Sequence, residues 1–347
     1  MAAVATRVAV IGAGSWGTAV AAIAATNTPT VLWARRDDLA KTIANDHCNP
    51  RYLPGISLPD RLEATSSLSE ALVGATAVVM GVPSHGFRDI LTELRPSLPA
   101  GVPIVSLSKG VEQETLKRMT EVVLEVAPGH PTGVLTGPNL AKEIMAGYPA
   151  ASVVAMTDPA VSAELQQLFS TDTFRVYTND DVVGCEVAGA LKNVMAIASG
   201  MADGMGFGDN TRAALITRGL AELTRLGVAL GGEPLTFSGL AGMGDLVATC
   251  ISAQSRNRHV GEELGKGRTV DEITAEMNMV AEGIKTSKAV LDLARRVGIE
   301  MPIAEQVVAV LYDGKKARDV IAALMTREAK PELHGISARP AIRNAPA

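Results

Sequence analysis

The chain contains little of what marks several classes of protein. It has three cysteines among 347 residues, and none stands in a C-x-x-C pair, so we expect neither a disulfide framework nor a structural zinc site. It has no run of about 18 uninterrupted apolar residues, so no membrane span is expected. The first apolar segment starts almost at the N-terminus and leaves no room for a signal peptide. These absences predict a cytoplasmic protein.

The charge balance argues against another class. Lysines and arginines number 32 against 37 aspartates and glutamates, which gives a formal net charge of −5. A protein dedicated to nucleic acids is usually basic, so we expect no nucleic-acid partner.

What the chain does have is a glycine-rich segment near its start. An apolar run over residues 8–11 predicts a strand, and an alanine-rich segment soon after it predicts a helix. Between them, Gly12, Gly14 and Gly17 follow the pattern G-x-G-x-x-G. In this context the pattern is typical of dinucleotide binding. The first glycine allows the turn, the second lets the backbone approach a pyrophosphate, and the third lets the helix pack on the strand.

The order of the remaining segments indicates two domains, as the length also does. Short apolar runs alternate with amphipathic segments up to about residue 180, which implies a largely parallel sheet. From Glu186 to about Met325 the periodicity is helical almost throughout. We therefore predict an α/β fold, with an N-terminal Rossmann-type domain over residues 1–185 and an all-helical C-terminal domain over residues 186–330. Residues 331–347 are predicted to form a loose tail.

These segments have the following bounds. Strands are predicted at residues 8–11, 30–33, 77–82, 103–107, 133–136, 151–155 and 174–177. Helices are predicted at residues 115–126, 161–169, 187–201, 211–230, 245–251, 256–264, 270–277, 286–297 and 303–312.

The end of the second predicted strand carries the residues that select between NAD and NADP. In NAD-binding proteins of this fold, an acidic residue about 20 positions beyond the first glycine binds the ribose 2′-hydroxyl. Arg35 and Arg36 stand at this place instead, and a guanidinium suits a 2′-phosphate. We therefore expect NADP(H) to be accepted, the alternative being that both arginines are ordinary solvated charges. Asp37 follows directly and leaves the use of NAD(H) open.

Polar clusters follow three of the predicted strands, where ligands of open α/β sheets bind. They lie at residues 83–85, 108–110 and 137–143. Lys109 is a cation directly after a buried strand, where it can bind an anion or polarise a carbonyl, unless it is a surface lysine before a helix. His85 is a weaker candidate for a general acid, because a histidine at such a place more often only lines a loop.

A second lysine lies in an apolar helical segment. Residues 186–200 are apolar on almost every side, and a helix of that kind is buried. Lys192 has small neighbours one turn away, which leaves room for a ligand. Desolvation lowers the pKa of a lysine and can turn it into a usable base. The alternative is a lysine whose stem packs on the core while its head reaches water.

Two later segments carry further polar groups. Asp245 and Thr249 are four residues apart and share one face of a predicted helix. Ser255 is a predicted N-cap, and Arg256 and Asn257 lie in the first turn that follows. A helix N-terminus that carries an arginine is a good site for a monophosphate, although a solvated basic helix start has the same spacing.

Together these segments resemble the bacterial NAD(P)+-dependent glycerol-3-phosphate dehydrogenases. Each matching stretch is weak alone, but they occur in the family's order between residues 7 and 325, and this makes the resemblance specific. The stretches are residues 12–17, 82–85, 108–110, 136–138, 189–194, 239–245, 254–258 and 280–283.

The resemblance implies an active site between the two domains. Lys192 matches the proton acceptor of the family, and Lys109 matches a lysine that contacts both substrate and nicotinamide. The other implied catalytic positions are Asp245, Thr249 and Asn193. The implied substrate contacts are Lys109, Gly137, Asn139, Lys192, Asp245, Ser255, Arg256 and Asn257. The implied cofactor contacts are Gly12, Gly14, Ser15, Trp16, Gly17, Arg35, Arg36, Lys109, Ala141, Arg256, Val280 and Glu282.

One position departs from the family. Many members carry serine or threonine where this chain has Asn139, whose amide can donate the same hydrogen bond.

The reaction that the resemblance implies is the reversible reduction of dihydroxyacetone phosphate to sn-glycerol 3-phosphate for glycerophospholipid synthesis. A homodimer that uses NADP(H) or NAD(H) and no metal is expected. One alternative is a related β-hydroxyacid-type dehydrogenase, in which Arg256 would hold a carboxylate. The other is a non-catalytic NADP-sensing module, against which Lys192, Lys109 and Asp245 argue.

Overall fold

The computed structural model describes residues 7–277, 281–332 and 334–335. Its strands are β1 (Val8–Ile11), β2 (Thr30–Trp33), β3 (Cys48–Asn49), β4 (Leu53–Ser57), β5 (Leu62–Thr65), β6 (Ala77–Met80), β7 (Ile104–Ser106), β8 (Thr132–Thr136), β9 (Ala150–Met156) and β10 (Phe174–Asn179). Its helices are α1 (Ser15–Asn27), α2 (Asp37–Asp46), α3 (Leu68–Leu72), α4 (Phe87–Leu94), α5 (Met119–Val126), α6 (Ala141–Met145), α7 (Pro159–Phe169), α8 (Val182–Gly204), α9 (Asp209–Ala229), α10 (Asp245–Ile251), α11 (Arg256–Gly265), α12 (Val270–Glu276), α13 (Glu282–Arg296), α14 (Pro302–Tyr312) and α15 (Ala317–Met325).

The first part of the chain is built on an eight-stranded sheet. Its spatial order is β10-β9-β8-β7-β6-β1-β2-β5, and the neighbouring strands are parallel except for β8 and β9. The central strands β1 and β6 are buried along their whole length, as expected of parallel strands that are covered on both faces. The predicted mostly parallel sheet is therefore confirmed, and β1, β6, β7 and β8 end at the same edge.

Three strands escaped the sequence analysis. The edge strand β5 has the sequence Leu-Glu-Ala-Thr and buries only its first residue, so no apolar run marks it. The strands β3 and β4 form a separate antiparallel hairpin, and β3 is only two residues long. Hydrophobic periodicity cannot detect strands that are so short or so exposed.

One predicted helix begins later than expected. The periodicity predicts a start at residue 115, but Leu116 has a left-handed backbone with φ of 59°, which a right-handed helix excludes. The helix α5 starts at Met119, where the Glu121 side chain accepts a hydrogen bond from the Arg118 backbone N–H at 2.8 Å. This capping interaction fixes the helix start.

The second part of the chain is all helical, as predicted, and its centre is α8. Of this helix, 20 of 23 residues are buried. Within the described residues it is the one helix that is long and apolar enough to cross a membrane, but 94% of its most apolar window is buried inside the protein. It packs against β8 of the sheet and against most of the other long helices, so it joins the two parts of the molecule.

The helices α8 and α11 approach each other through glycines. A Cβ atom on Gly200 would lie 2.0 Å from the carbonyl oxygen of Arg258, and one on Gly261 would lie 2.0 Å from that of Ile197. Only glycine permits this backbone-to-backbone contact. The contact sets the start of α11 beside the middle of α8. The predicted tail over residues 331–347 lies almost wholly outside the described residues.

Candidate active site

The glycine-rich loop has the geometry of a phosphate cradle. Gly12 has φ of +119°, and a Cβ on it would lie 2.6 Å from the carbonyl oxygen of Gly81 at the end of β6. A Cβ on Gly17 would lie 2.0 Å from the carbonyl oxygen of Gly12. Nothing lies within 4 Å of the corresponding position on Gly14, where the N-terminus of α1 has no side-chain cap. This open space before unpaired helix N–H groups fits a pyrophosphate.

A buried asparagine that the sequence analysis missed holds this loop. Asn49 of the β3–β4 hairpin donates hydrogen bonds to the carbonyl of Ala13 at 3.0 Å and to the hydroxyl of Thr18 at 2.8 Å. The Ser15 hydroxyl donates to the carbonyl of Tyr52 in the same hairpin at 2.9 Å. No local sequence signal distinguishes Asn49 from an ordinary turn residue, because its partners lie more than 30 positions away.

The next residue of the loop, Trp16, takes part in packing. Its ring meets Phe174 edge to face, with 6.1 Å between the ring centroids. Its indole N–H is buried and has no partner within the described part of the chain. Ala141, at the start of α6, is half-buried, and α6 packs against α1.

The two arginines after β2 are both exposed, but they differ in their partners. Arg36 donates from Nε to Asp38 Oδ1 at 2.9 Å, and its Nη2 pairs with the other oxygen of the same carboxylate. Arg35 has no hydrogen-bond or ion-pair partner among the residues that the structure describes. Asp37 is held by the Lys41 ammonium at 2.7 Å and the Ser66 hydroxyl at 2.9 Å.

The central feature of the candidate site is one carboxylate that holds two lysines. Asp245 is 1% exposed, and its Oδ1 accepts a hydrogen bond from Lys192 Nζ at 2.5 Å. Its Oδ2 accepts one from Lys109 Nζ at 2.6 Å. The carbonyl of Gly137 accepts a second hydrogen bond from Lys109, at 2.9 Å. The β7 end, the β8 end, α8 and α10 thus contribute one residue each to a single cluster.

The partners of Lys192 leave one of its donors available. Thr249 donates its hydroxyl hydrogen to the carbonyl of Asp245 at 2.6 Å, so its oxygen accepts from Lys192 Nζ, also at 2.6 Å. An ammonium group has three N–H donors, and two have partners among the residues that the structure describes. The same count holds for Lys109. Each lysine therefore keeps one N–H for a ligand oxygen.

The environment of Lys192 changes its protonation. Burial is the largest influence and lowers its pKa, the Asp245 carboxylate raises it, and nearby Lys109 lowers it; together they bring the pKa from 10.5 down to about 8. The lysine is 6% exposed, so its head does not reach water and the snorkelling alternative is wrong. A lysine with this pKa can exchange a proton near neutral pH.

A chain of hydrogen-bonded side-chain amides holds the backbone of Lys109. Asn193 donates to the backbone carbonyl of Lys109 at 3.1 Å, and its oxygen accepts from the Asn257 amide at 2.9 Å. The oxygen of Asn257 in turn accepts from the backbone N–H of Gly283 at 2.9 Å. Each amide has a fixed orientation because the ends of the chain are a carbonyl and an N–H. Asn257 thus contacts protein atoms on both sides.

The start of α11 lies at one end of this chain. The Ser255 hydroxyl accepts the backbone N–H of Arg258 at 3.2 Å, which confirms Ser255 as the N-cap. Arg256 is exposed in the first turn. Burial raises the pKa of Glu282, while the positive charges of Arg256, Lys192 and Lys109 lower it, in that order.

The loop after β8 supplies polar atoms without partners. Asn139 donates to the Ser152 hydroxyl at 3.1 Å, and that hydroxyl donates to the carbonyl of Thr136 at 2.8 Å. The amide oxygen of Asn139 and the hydroxyl of Thr136 are buried and find no partner among the described residues. His85 lies apart, on an exposed turn, and Val280 lies outside the described residues.

Comparison with known proteins agrees with this geometry. The profile of the NAD-dependent glycerol-3-phosphate dehydrogenase N-terminus matches residues 7–162, and that of the C-terminus matches residues 181–322. The chain is 57% identical over 328 residues to glycerol-3-phosphate dehydrogenase [NAD(P)+] 2 of Sphingopyxis alaskensis, covering 94% of this chain and 98% of that protein. It is 53% identical over 330 residues to glycerol-3-phosphate dehydrogenase [NAD(P)+] of Mycobacterium avium, covering 95% and 97%.

A solved structure gives the same result. The crystal structure of glycerol-3-phosphate dehydrogenase from Coxiella burnetii superposes with a TM-score of 0.89 at 37% identity, covering 93% of this chain and 99% of that one. The chain belongs to the family of NAD-dependent glycerol-3-phosphate dehydrogenases.

Proposed function

We propose that this protein catalyses the reversible NAD(P)H-dependent reduction of dihydroxyacetone phosphate to sn-glycerol 3-phosphate, which supplies glycerophospholipid synthesis. The observation that carries this proposal is the buried Asp245 carboxylate, which holds Lys109 and Lys192 at the edge where the parallel strands end. Two cations that share one carboxylate leave a net positive charge, which stabilises negative charge on a ligand oxygen.

The proton chemistry follows from these groups. When bound, the reduced nicotinamide supplies a hydride to the carbonyl carbon of the substrate. Lys192 donates the proton from its remaining N–H to the carbonyl oxygen, and the spare N–H of Lys109 stabilises the charge that develops there. In the oxidative direction the neutral amine of Lys192 takes the hydroxyl proton. Asp245 and Thr249 orient Lys192 through both steps.

The substrate phosphate is assigned to the start of α11. Arg256 is the exposed cation of its first turn, and the Ser255 hydroxyl keeps its hydrogen for donation because its oxygen accepts the cap bond. Binding the phosphate at a distance from the reacting carbon holds the carbonyl near the two lysines. Gly137 and Asn139 are assigned to the substrate side through the loop that supports Lys109.

The cofactor is assigned to the glycine-rich loop and the end of β2. Gly12, Gly14 and Gly17 would hold the pyrophosphate, and Arg35 with Arg36 would meet the adenosine ribose, so NADP(H) is the preferred cofactor in this proposal and NAD(H) is also used. The family resemblance supports a homodimer in the cytoplasm, which light scattering and cell fractionation test.

The alternative of a β-hydroxyacid-type dehydrogenase is not favoured. The structural likeness to a ketopantoate reductase from Ralstonia eutropha, at 17% identity and a TM-score of 0.58, concerns the fold alone. The relatives above 50% identity carry the glycerol-3-phosphate dehydrogenase name over nearly the whole chain.

A kinetic assay tests the proposal. Oxidation of NADPH and NADH is followed by absorbance with dihydroxyacetone phosphate and, separately, with 3-oxo acids, the oxidised forms of β-hydroxy acids. We expect turnover with the phosphorylated ketone, and Arg256→Ala should mainly raise its KM. The control Arg296→Ala removes an exposed arginine at the end of α13 and should change neither constant. Preference for an oxo acid, or undiminished selectivity for the phosphate in Arg256→Ala, would contradict the assignment.

A further inference from the structure

Four consecutive charged residues, Arg35 to Asp38, run from the segment after β2 into the first turn of α2, and all four are exposed. Asp38 binds the guanidinium of Arg36 with both carboxylate oxygens, one through Nε at 2.9 Å and the other through Nη2. The planar edge of a guanidinium matches one planar or tetrahedral anion at a time. In this structure Asp38 therefore occupies the edge of Arg36 that a phosphate would use.

The neighbouring acid has different partners. Asp37 accepts from the Ser66 hydroxyl with one oxygen and from the Lys41 ammonium with the other. Asp37 and Asp38 carry the same charge in the same helical turn, yet only Asp38 contacts an arginine of this segment. Arg35 has no such competitor within the described ranges.

We propose that Asp38 is a specificity-determining residue that competes with the cofactor's 2′-phosphate for Arg36. This inference rests on the proposed function, in which the adenosine ribose lies at the end of β2. A 2′-phosphate must displace the Asp38 carboxylate before Arg36 can bind it, whereas a 2′-hydroxyl requires no such exchange. Asp38 thus weakens the binding of NADPH and not that of NADH. The two affinities are therefore closer together than they would be if Arg35 and Arg36 acted without Asp38.

Asp38 competes for Arg36 at every pH near neutrality. The hydrogen bonds from Arg36 lower the pKa of Asp38 to about 2, so the carboxylate remains charged whenever the protein is folded near neutral pH. Since both partners are exposed, the ion pair is of the weak surface kind, which corresponds to a factor of about two to five in an equilibrium constant. An effect of this size tunes selectivity and does not abolish the binding of either cofactor.

The test compares Asp38→Asn with Asp37→Asn, which makes the same change in net charge one residue away. Dissociation constants of NADPH and NADH are measured by fluorescence titration without substrate. We expect Asp38→Asn to bind NADPH about two- to fivefold more tightly and NADH as the unchanged protein does. Asp37→Asn should show a smaller change. Arg36→Ala should weaken NADPH binding by a larger factor when it is introduced into the Asp38→Asn variant than when it is introduced into the unchanged protein.

The outcomes separate this inference from the proposed function. Equal effects of the two aspartate substitutions, or an equal gain for NADH, would overturn the competition and leave a general charge effect. If Arg36→Ala weakens NADPH binding while Asp38→Asn changes nothing, only the inference fails. If neither Arg35→Ala nor Arg36→Ala alters NADPH affinity, the placement of the adenosine ribose fails with it. Thermal melting verifies that each variant is folded.

Discussion

At the scale of single residues, the site depends on the buried carboxylate of Asp245. Buried charges are stable when they are paired and when their remaining hydrogen-bonding capacity is satisfied. Asp245 meets both conditions by accepting from Lys192 and Lys109. The cluster nevertheless has one cation in excess, and this excess together with burial makes Lys192 easier to deprotonate than an ordinary lysine.

The pH dependence of the reaction should reveal this lysine. Reduction requires the ammonium form, so kcat/KM for dihydroxyacetone phosphate should fall as the pH rises through about 8, the pKa of Lys192. Oxidation of glycerol 3-phosphate requires the neutral amine, so its kcat/KM should rise through the same pH. Steady-state kinetics in both directions measure these limbs.

Removal of the side chain provides the control. Lys192→Ala should lower turnover by about 10²-fold or more, and its residual activity should lack the limb near pH 8. Lys288→Ala removes an exposed lysine of α13 and should keep both the rate and the profile. Near-normal turnover in Lys192→Ala would rule out the proposed role.

At the scale of the elements, two helices are placed by four glycines. Gly200 and Gly204 of α8 face Gly261 and Gly265 of α11, and a Cβ on any of them would come within 2.4 Å of the partner backbone. Their spacing of four residues on each helix puts each pair on one face. This close approach brings Ser255 and Arg256, at the start of α11, to the α8 segment that carries Lys192.

Gly200→Ala should therefore disturb both stability and substrate binding. The added Cβ forces the helices apart, at a cost of about 1–3 kcal/mol for an overpacked contact, and shifts the start of α11 away from the lysines. We expect a lower melting temperature and a higher KM for dihydroxyacetone phosphate. Gly208→Ala is the matched control, because nothing lies within 4 Å of its Cβ position. Equal melting temperatures of the two variants would show that the contact is not needed.

The bounds of the helices and strands also show which of them local sequence patterns predict correctly. The bounds of β2 and α10 agree with the predicted ones, since an apolar run and a helical face are local features. The periodicity predicts a start of α8 at residue 187, but the helix begins at Val182 because Asp181 accepts the backbone N–H of Gly184 at 2.7 Å. The cap at Asp181 therefore sets the start of α8 ahead of the predicted one.

At the scale of the whole molecule, polar contacts join the sheet part to the helical part. The buried Glu186 of α8 accepts from the backbone N–H of Thr120 at 2.9 Å and from Arg118 at 3.0 Å. Near the start of α11, the Gln254 amide donates to Glu143 of α6 at 2.9 Å. The two parts are therefore joined by specific polar contacts as well as by the apolar face of α8.

Glu186→Gln should weaken this junction without changing the chemistry. One oxygen becomes an amide that cannot accept from Thr120 or Arg118, and leaving a buried donor unsatisfied costs about 1–3 kcal/mol. Urea unfolding should show this loss, while turnover per folded molecule stays the same. Glu114→Gln, which changes an exposed glutamate just before α5, should leave the unfolding free energy unchanged. A Glu186→Gln variant as stable as this control would disprove the role.

The sequence by itself determined the local features of this protein: the glycine loop before α1, the buried strands, the helical second part and the N-cap at Ser255. These depend on residues that are close together along the chain, where periodicity and turn chemistry act. The tertiary structure alone decided which side chains meet. It joined Asp245 to Lys109 across 136 positions and Asn49 to the glycine loop. Contacts between such distant residues depend on how the elements pack, and no local pattern reveals them.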